Sequence, residues 1–179
     1  MHPRLQEIDD FLDQRRAEVL SAVASVHEPD SIPVPPGGWS VATIVDHLRL
    51  TEASVSKLVH VTVSRLPADA RPPETETGSV LLRLDHSIMA NRDRRAVAPP
   101  VVQPRGDLAL PDALAGLEAS RTALRATLRE ADGVALGKFS YPHPMFGALD
   151  LYQWLLFVGL HESRHACQIR ELGETRFDP

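Results

Sequence analysis

The sequence predicts an all-α fold: a four-helix bundle with an additional helix between the second and third main helices. Three observations lead there. Apolar residues recur at three- and four-residue spacings through several long segments, the period of a helix with one buried face. Prolines gather between those segments: Pro29, Pro33, Pro35 and Pro36; Pro67, Pro72 and Pro73; Pro99, Pro100 and Pro104; Pro142 and Pro144. Stretches that alternate apolar and polar residues are scarce, and Phe139-Ser140-Tyr141 is at best a fragment of strand.

The first helix carries Leu5, Ile8, Leu12, Val19, Val23 and Val26 on one stripe of about six turns. The second opens after Gly37-Gly38-Trp39, where Ser40 is a natural N-cap, and nothing breaks it from Val41 to about Ser64. Its inner face holds Thr43, Ile44, His47, Leu50, Thr51, Ser54, Leu58 and Val61. The additional helix is expected over Ser79 to Val97, from Leu81, Leu82, Leu84, Ile88 and Met89 at helical spacing. Pro111 fits the first turn of the third main helix, whose seam of Leu110, Leu114, Leu117, Leu124 and Leu128 is interrupted by Arg121. The last helix starts near the N-cap Asp150 and runs to about Leu172, with Gly173 placed to stop it.

A chain of 179 residues suits one domain with a proper core, spanning 1–179. A net charge of -5 gives no global attraction to nucleic acid. The short run Arg92, Arg94 and Arg95, broken by Asp93 and without aromatic partners, reads as a solvated helix end. No apolar run approaches the roughly 20 residues that span a bilayer, and the first residues lack the apolar stretch of a secretory signal. Cys167 is the one cysteine, so no internal disulfide forms. These features predict a cytoplasmic protein with neither membrane nor nucleic-acid partners.

The sharpest local motif is His161-Glu162-Ser163-Arg164-His165. Histidines four apart stand one turn above each other, so both imidazoles can reach one ion. Their stripe also holds Trp154, Val158, Gln168 and Leu172, which makes it the buried face. Two inward histidines need polar partners. A shared metal satisfies both, as do hydrogen bonds to carbonyls and water, and the spacing alone leaves both open. The same five residues match H-E-x-x-H, the zinc-peptidase helix motif. That reading fails for want of a third ligand: only 14 residues follow His165, none a histidine, and Glu171 and Glu174 lie too close. A further ligand is expected upstream. His47 lies on the inner stripe beside Thr43, Thr51 and Ser54, small polar residues that suggest a wet cavity; a core histidine bonded to a carbonyl is the other reading.

At this point a family resemblance enters. Gly38 through Leu48 resembles the W-S-x6-H-L signature of the DinB/YfiT-like superfamily, carried here by Trp39, Ser40, His47 and Leu48. His143-Pro144-Met145-Phe146-Gly147 through His161, His165, Gln168 and Ile169 is similar to its C-terminal signature. The resemblance runs from the first helix to the last. It implies a four-helix bundle in which one histidine of the second helix and two of the last bind a metal. Those positions fall on His47, His161 and His165. The family name derives from induction by DNA damage and carries no implication of DNA binding.

Three imidazoles on two helices leave one open position on tetrahedral zinc and three on an octahedral ion. No fourth protein ligand is evident, and Cys167 points about 200° away from His165. An open position is what a Lewis-acid or water-activating metal needs. Imidazole suits zinc, nickel and iron alike, so the donor set does not separate them; zinc or nickel is expected first, with iron an option. Glu162 is a candidate general base, although its place about 100° off the histidine stripe equally describes a solvated or salt-bridged surface acid. Arg121 is a candidate for binding a substrate carboxylate or phosphate, the alternative being an arginine that snorkels to a helix edge. His143 and Trp154 are placed for a cavity mouth; His2, His27, His60 and His86 show no grouping.

The resemblance implies a metal-dependent enzyme acting on a small molecule. The first reading is an S-transferase using a low-molecular-weight thiol such as bacillithiol or mycothiol, the second a hydrolase. Outside enzymes, the alternative is a non-catalytic metal or small-ligand binding module whose ion stabilises the bundle. An iron site like that of the sulfoxide-synthase relatives needs a further domain. The resemblance also implies a homodimer.

Overall fold

The starts of the long helices follow from local chemistry. In the computed structural model, which describes residues 1–27, 29, 38–85, 87 and 97–174, α1 spans Pro3–Ser25 and α2 spans Val41–Ser64. Pro3 occupies the first turn of α1, where its missing amide costs nothing, and the His2 side chain accepts from the Arg4 amide. Ser40 caps α2, its hydroxyl accepting from the Thr43 amide at 3.1 Å. Helix α3 covers Leu110–Glu130 with Pro111 in its first turn, and α4 covers Leu151–Glu174. Asp150 opens α4 with a reciprocal cap: the Gln153 amide donates to its carboxylate, and its own amide donates to the Gln153 side chain, both at 2.9 Å. No helix among the described residues is long and apolar enough to cross a membrane.

Three local expectations are corrected. Residues 79–85 do not form a helix; Leu81–Arg83 make a single 3-10 turn. The preceding chain is strapped across the bundle instead. Ala135 donates to the Pro72 carbonyl and Glu74 to that of Gly133, each at 2.8 Å. Arg4 then holds the Gly78 carbonyl, Glu74 and Glu76. The Val80 amide donates to Glu7 at 2.9 Å, and Val80 and Leu84 enter the core from this strap. The rest of the expected helix, with Arg92, Arg94 and Arg95, lies outside the described residues. Second, the strand fragment at Phe139–Tyr141 belongs to an antiparallel hairpin, β1 (Ser140–His143) and β2 (Gly147–Asp150). Gly147 closes it with φ 73°, a backbone that favours glycine. Third, α4 continues through Gly173, which packs against Val26: an added Cβ would stand 3.3 Å from the Val26 Cγ2.

Helix α1 lies along α4, and α2 along α3. The α1–α4 approach depends on Gly159, where a Cβ would overlap Phe11 Cε1 and stand 3.1 Å from Arg15 Cγ. Gly159→Val is therefore expected to destabilise by about 1–3 kcal/mol despite relieving a glycine in a helix. Urea denaturation followed by circular dichroism measures this, and an unchanged midpoint would contradict the close packing.

The core is divided. One apolar cluster holds Leu5, Leu12, Val55, Val59, Leu124, Leu128 and Leu155; the other holds Val19, Ile44, Leu48, Leu117, Ala166 and Ile169. Between them lies a layer of four charges, one from each helix: Arg16, Glu52, Arg121 and Glu162. Arg16 donates through Nε to Glu162 (2.8 Å) and through Nη2 to Glu52 (2.9 Å). Arg121 donates through Nε to Glu52 (2.6 Å) and through Nη2 to Glu162 (3.1 Å). Two cations and two anions close a ring in which each arginine holds both carboxylates. The Leu117 carbonyl accepts from Arg16, and the Ser120 hydroxyl donates to Glu52.

Candidate metal centre

Helix α2 brings His47, and α4 brings His161 and His165, to one place. Ring centroids are 4.8 Å apart for His47 and His161, 5.1 Å for His47 and His165, and 4.5 Å for His161 and His165. One ring nitrogen from each lies within 4.8 Å of the others. All three are buried, at 4%, 9% and 8% exposure, so their nitrogens must find partners inside the protein.

The hydrogen bonds decide which nitrogens face the centre. His47 Nδ1 lies 2.7 Å from the Val102 carbonyl, which can only accept; the proton is on Nδ1, and Nε2 presents a lone pair. His165 Nδ1 likewise stands 2.8 Å from the Gln168 side-chain oxygen. The His47 lone pair meets His161 Nε2 at 2.9 Å, while His161 Nδ1 is buried with no hydrogen-bond partner among the described residues. Without an ion, either His161 Nδ1 goes unsatisfied as an acceptor, or it carries an unpaired proton while two lone pairs face each other. A cation held by these Nε2 atoms would remove the lone-pair repulsion, with the His161 proton left on Nδ1. The 2.9 Å separation is short enough for one cation to reach both nitrogens. The donor set fits a divalent transition metal.

The electrostatics favour the neutral form of His47 and His161, the form that ligates. Burial holds His161 well below the usual imidazole range, with His165, His47, Arg164 and His143 adding to the effect. Burial lowers His47 too, outweighing the opposing Val102 carbonyl and Asp46.

Around the triad the aromatic residues form a wall. Trp39 packs on His47 (4.7 Å between centroids) and stacks on His165 (6.2 Å). Phe157 touches His161 at 5.1 Å, and His143 packs on Phe157 and Trp154 at 4.6 and 4.8 Å. His143 Nδ1 accepts from the Met145 amide, so its proton sits on Nε2, and burial lowers its pKa. A groove of about 440 Å³ runs beside this wall, lined by Ser54, Leu58 and Val61 of α2, Tyr141 and Pro142 of the hairpin, and Trp154. Thr43 and Thr51 are bonded locally, to the Ser40 hydroxyl and the His47 carbonyl. Their polarity serves the helix as well as any cavity.

The other sequence candidates lie in the ion ring rather than at the triad. Glu162 is an acid of the interior, 1% exposed, not of the surface, with both carboxylate oxygens held by arginines. Arg121 is 2% exposed; it neither snorkels nor faces an open cavity, and it is engaged by Glu52, Glu162 and Asp13. Cys167 is exposed, as its helical position implies. His60 pairs with Glu130 at the surface, and His86 lies outside the described residues. Sequence reasoning missed Arg16, Glu52 and the Val102 carbonyl. The first two had a signal: each interrupts an apolar stripe, as Arg121 does, between Leu12 and Val19 and between Leu48 and Val55.

Comparison with known proteins agrees with this architecture. The chain is 28% identical to the uncharacterized protein YuaE of Bacillus subtilis (strain 168) over 145 residues, 76% of this chain and 78% of that one. It is similar to the crystal structure of TT2238, a four-helix bundle protein, with a TM-score of 0.60 at 20% identity, covering 93% of this chain and 98% of that one. The sequence model of the DinB superfamily matches residues 12–169, nearly all of the bundle and all three histidines. The chain belongs to the DinB superfamily.

Proposed function

We propose that His47, His161 and His165 bind one divalent transition metal, zinc or nickel before iron, and that the protein is a metal-dependent enzyme acting on a small molecule. The supporting observation is the convergence of three buried imidazoles, with the Nε2 atoms of His47 and His161 2.9 Å apart and close enough for one cation to reach both. A bound ion would lower the pKa of a thiol or water in its open position. Val102 and Gln168 orient two of the three rings through Nδ1, the usual outer support of ligating histidines. Trp39 and Phe157 exclude water from one side. His143, protonated on Nε2, places a further donor in the aromatic wall beside Phe157 and Trp154.

Of the two chemistries, transfer to or from a low-molecular-weight thiol stands ahead of hydrolysis. Glu162, the acid adjacent to a ligand, has both oxygens occupied by arginines and is not free to accept a proton from water. A thiol whose pKa a bound ion would lower can release its proton to solvent and needs no such base. Metal analysis of the purified protein beside His47→Ala and His161→Ala tests the site. Near-stoichiometric metal in the parent and a loss of at least tenfold in affinity in both variants are expected. Unchanged metal content in both sinks the site. If the metal is present but accepts no exchangeable thiol or water, and its removal only lowers the melting temperature, the protein is a binding module. Thiol conjugation assayed against ester and amide hydrolysis then separates the two enzymatic readings.

A further inference from the structure

The triad straddles α2 and α4, which are not each other's main packing partners. Helix α1 lies along α4 and α2 along α3, while α2 and α4 meet over a much smaller area. Their mutual rotation and spacing therefore need another determinant. The tolerance is narrow: imidazoles roughly 6 Å from a helix axis move about 1 Å for a 10° rotation, and a site needs about 0.5 Å.

The ion ring is placed to supply it. Glu52 lies five residues beyond His47 on α2, and Glu162 directly follows His161 on α4. Each carboxylate thus anchors its helix within about one and a half turns of a ligand, on a different side of the helix. Both are held by the same two arginines, Arg16 from α1 and Arg121 from α3, at 2.6–3.1 Å. Two planar guanidiniums that each grip both carboxylates resist rotation of either helix. We propose that Arg16 and Arg121 are positioning residues that set the rotation and spacing of the histidine-bearing helices by holding Glu52 and Glu162 in one charge-balanced ring. This rests on the metal-binding reading above.

Net stability does not account for the ring. Apolar side chains of similar volume would join the two core clusters, and such exchanges are commonly neutral or stabilising. They would also free the helices to adjust their rotation, and the triad would lose its register.

Cobalt(II), titrated against a competing chelator and read by its visible absorption, is the probe. The variants are Arg16→Met/Glu52→Leu/Arg121→Met/Glu162→Leu together, and Glu162→Gln and Arg121→Lys singly. The quadruple variant is expected to keep its helical circular dichroism while its cobalt Kd rises about 10–100-fold and its absorption band shifts. The single variants change in the same direction by less. Wild-type affinity and band in the folded quadruple variant overturn the proposal. So does a ring that alters only the melting temperature and leaves the cobalt band of the folded protein unchanged. Should the quadruple variant not fold, wild-type cobalt binding in both single variants overturns it equally. A parent protein that binds no cobalt overturns the metal-binding reading and this one; normal parent binding with unaffected variants overturns this one alone.

Discussion

Glu52→Ala is expected to lower the unfolding free energy by about 3–5 kcal/mol, the usual consequence of removing one partner from a buried ionic group. Glu52 has no solvent exposure, and both of its oxygens are used. Oε1 accepts from Arg121 at 2.6 Å; Oε2 accepts from Arg16 at 2.9 Å and from the Ser120 hydroxyl. With the carboxylate gone, two buried guanidiniums share Glu162. Arg121 retains Asp13 at 3.4 Å, a half-exposed carboxylate, and Arg16 retains the Leu117 carbonyl. Neither replaces a buried charge. The check is urea denaturation of Glu52→Ala beside Glu52→Ala/Arg121→Met, which removes one of the stranded cations and should recover part of the loss. Glu130→Ala, which deletes the surface bond to His60, is the control and should cost under about 1 kcal/mol. A loss as small in Glu52→Ala would mean that the ring is solvated rather than sealed.

The strap over residues 72–80 is expected to make the protein acid-sensitive through Glu74. Burial pushes this carboxyl upward, but hydrogen bonds from the Tyr152 hydroxyl, the Glu76 amide and Arg4 outweigh it and hold the pKa at about 2, below the ordinary 4.5. Burial and then Glu74 push the Tyr152 phenol upward, so it stays a donor throughout the accessible range. A carboxyl depressed on folding contributes its full stability above its unfolded pKa. That contribution is lost as pH falls from about 4.5 toward 2. At neutral pH, Glu74→Gln should cost about 2 kcal/mol, since hydrogen bonds to a charged group are the stronger kind. Near pH 2.5 most of the difference between the variant and the parent should be gone. Thermal unfolding at pH 7, 4 and 2.5 decides it, and a constant difference across that range would assign the effect to shape rather than charge.

Most helix boundaries were legible because they depend on neighbours in the chain. The Ser40 and Asp150 caps and Pro111 in a first turn are local events, and local chemistry sets them. The expectations that failed were those where a distant segment competes. Leu81, Leu82 and Leu84 have helical spacing, yet Glu7 and Arg4 on α1 capture the strap and turn Val80 and Leu84 into the core. Gly173 has the composition of a helix stop, yet contact with Val26 accompanies another residue of helix. Tyr141 reads as a strand remnant, and pairing with Leu149 and a hydroxyl contact to Thr62 place it in a hairpin.

The candidate site divides along the same line. The four-residue spacing of His161 and His165 on an apolar stripe puts two imidazoles on one inward face, since helical periodicity alone determines which side chains share a face. Periodicity also put His47 on an inner face. It could not place His47 2.9 Å from His161, because that distance depends on how two helices far apart in the chain are rotated against each other. Nor could it show that Glu162 and Arg121, read one helix at a time as surface or cavity residues, complete a ring with Arg16 and Glu52. A buried charge is tolerated only where opposite charges converge on it, and convergence of four helices belongs to tertiary packing.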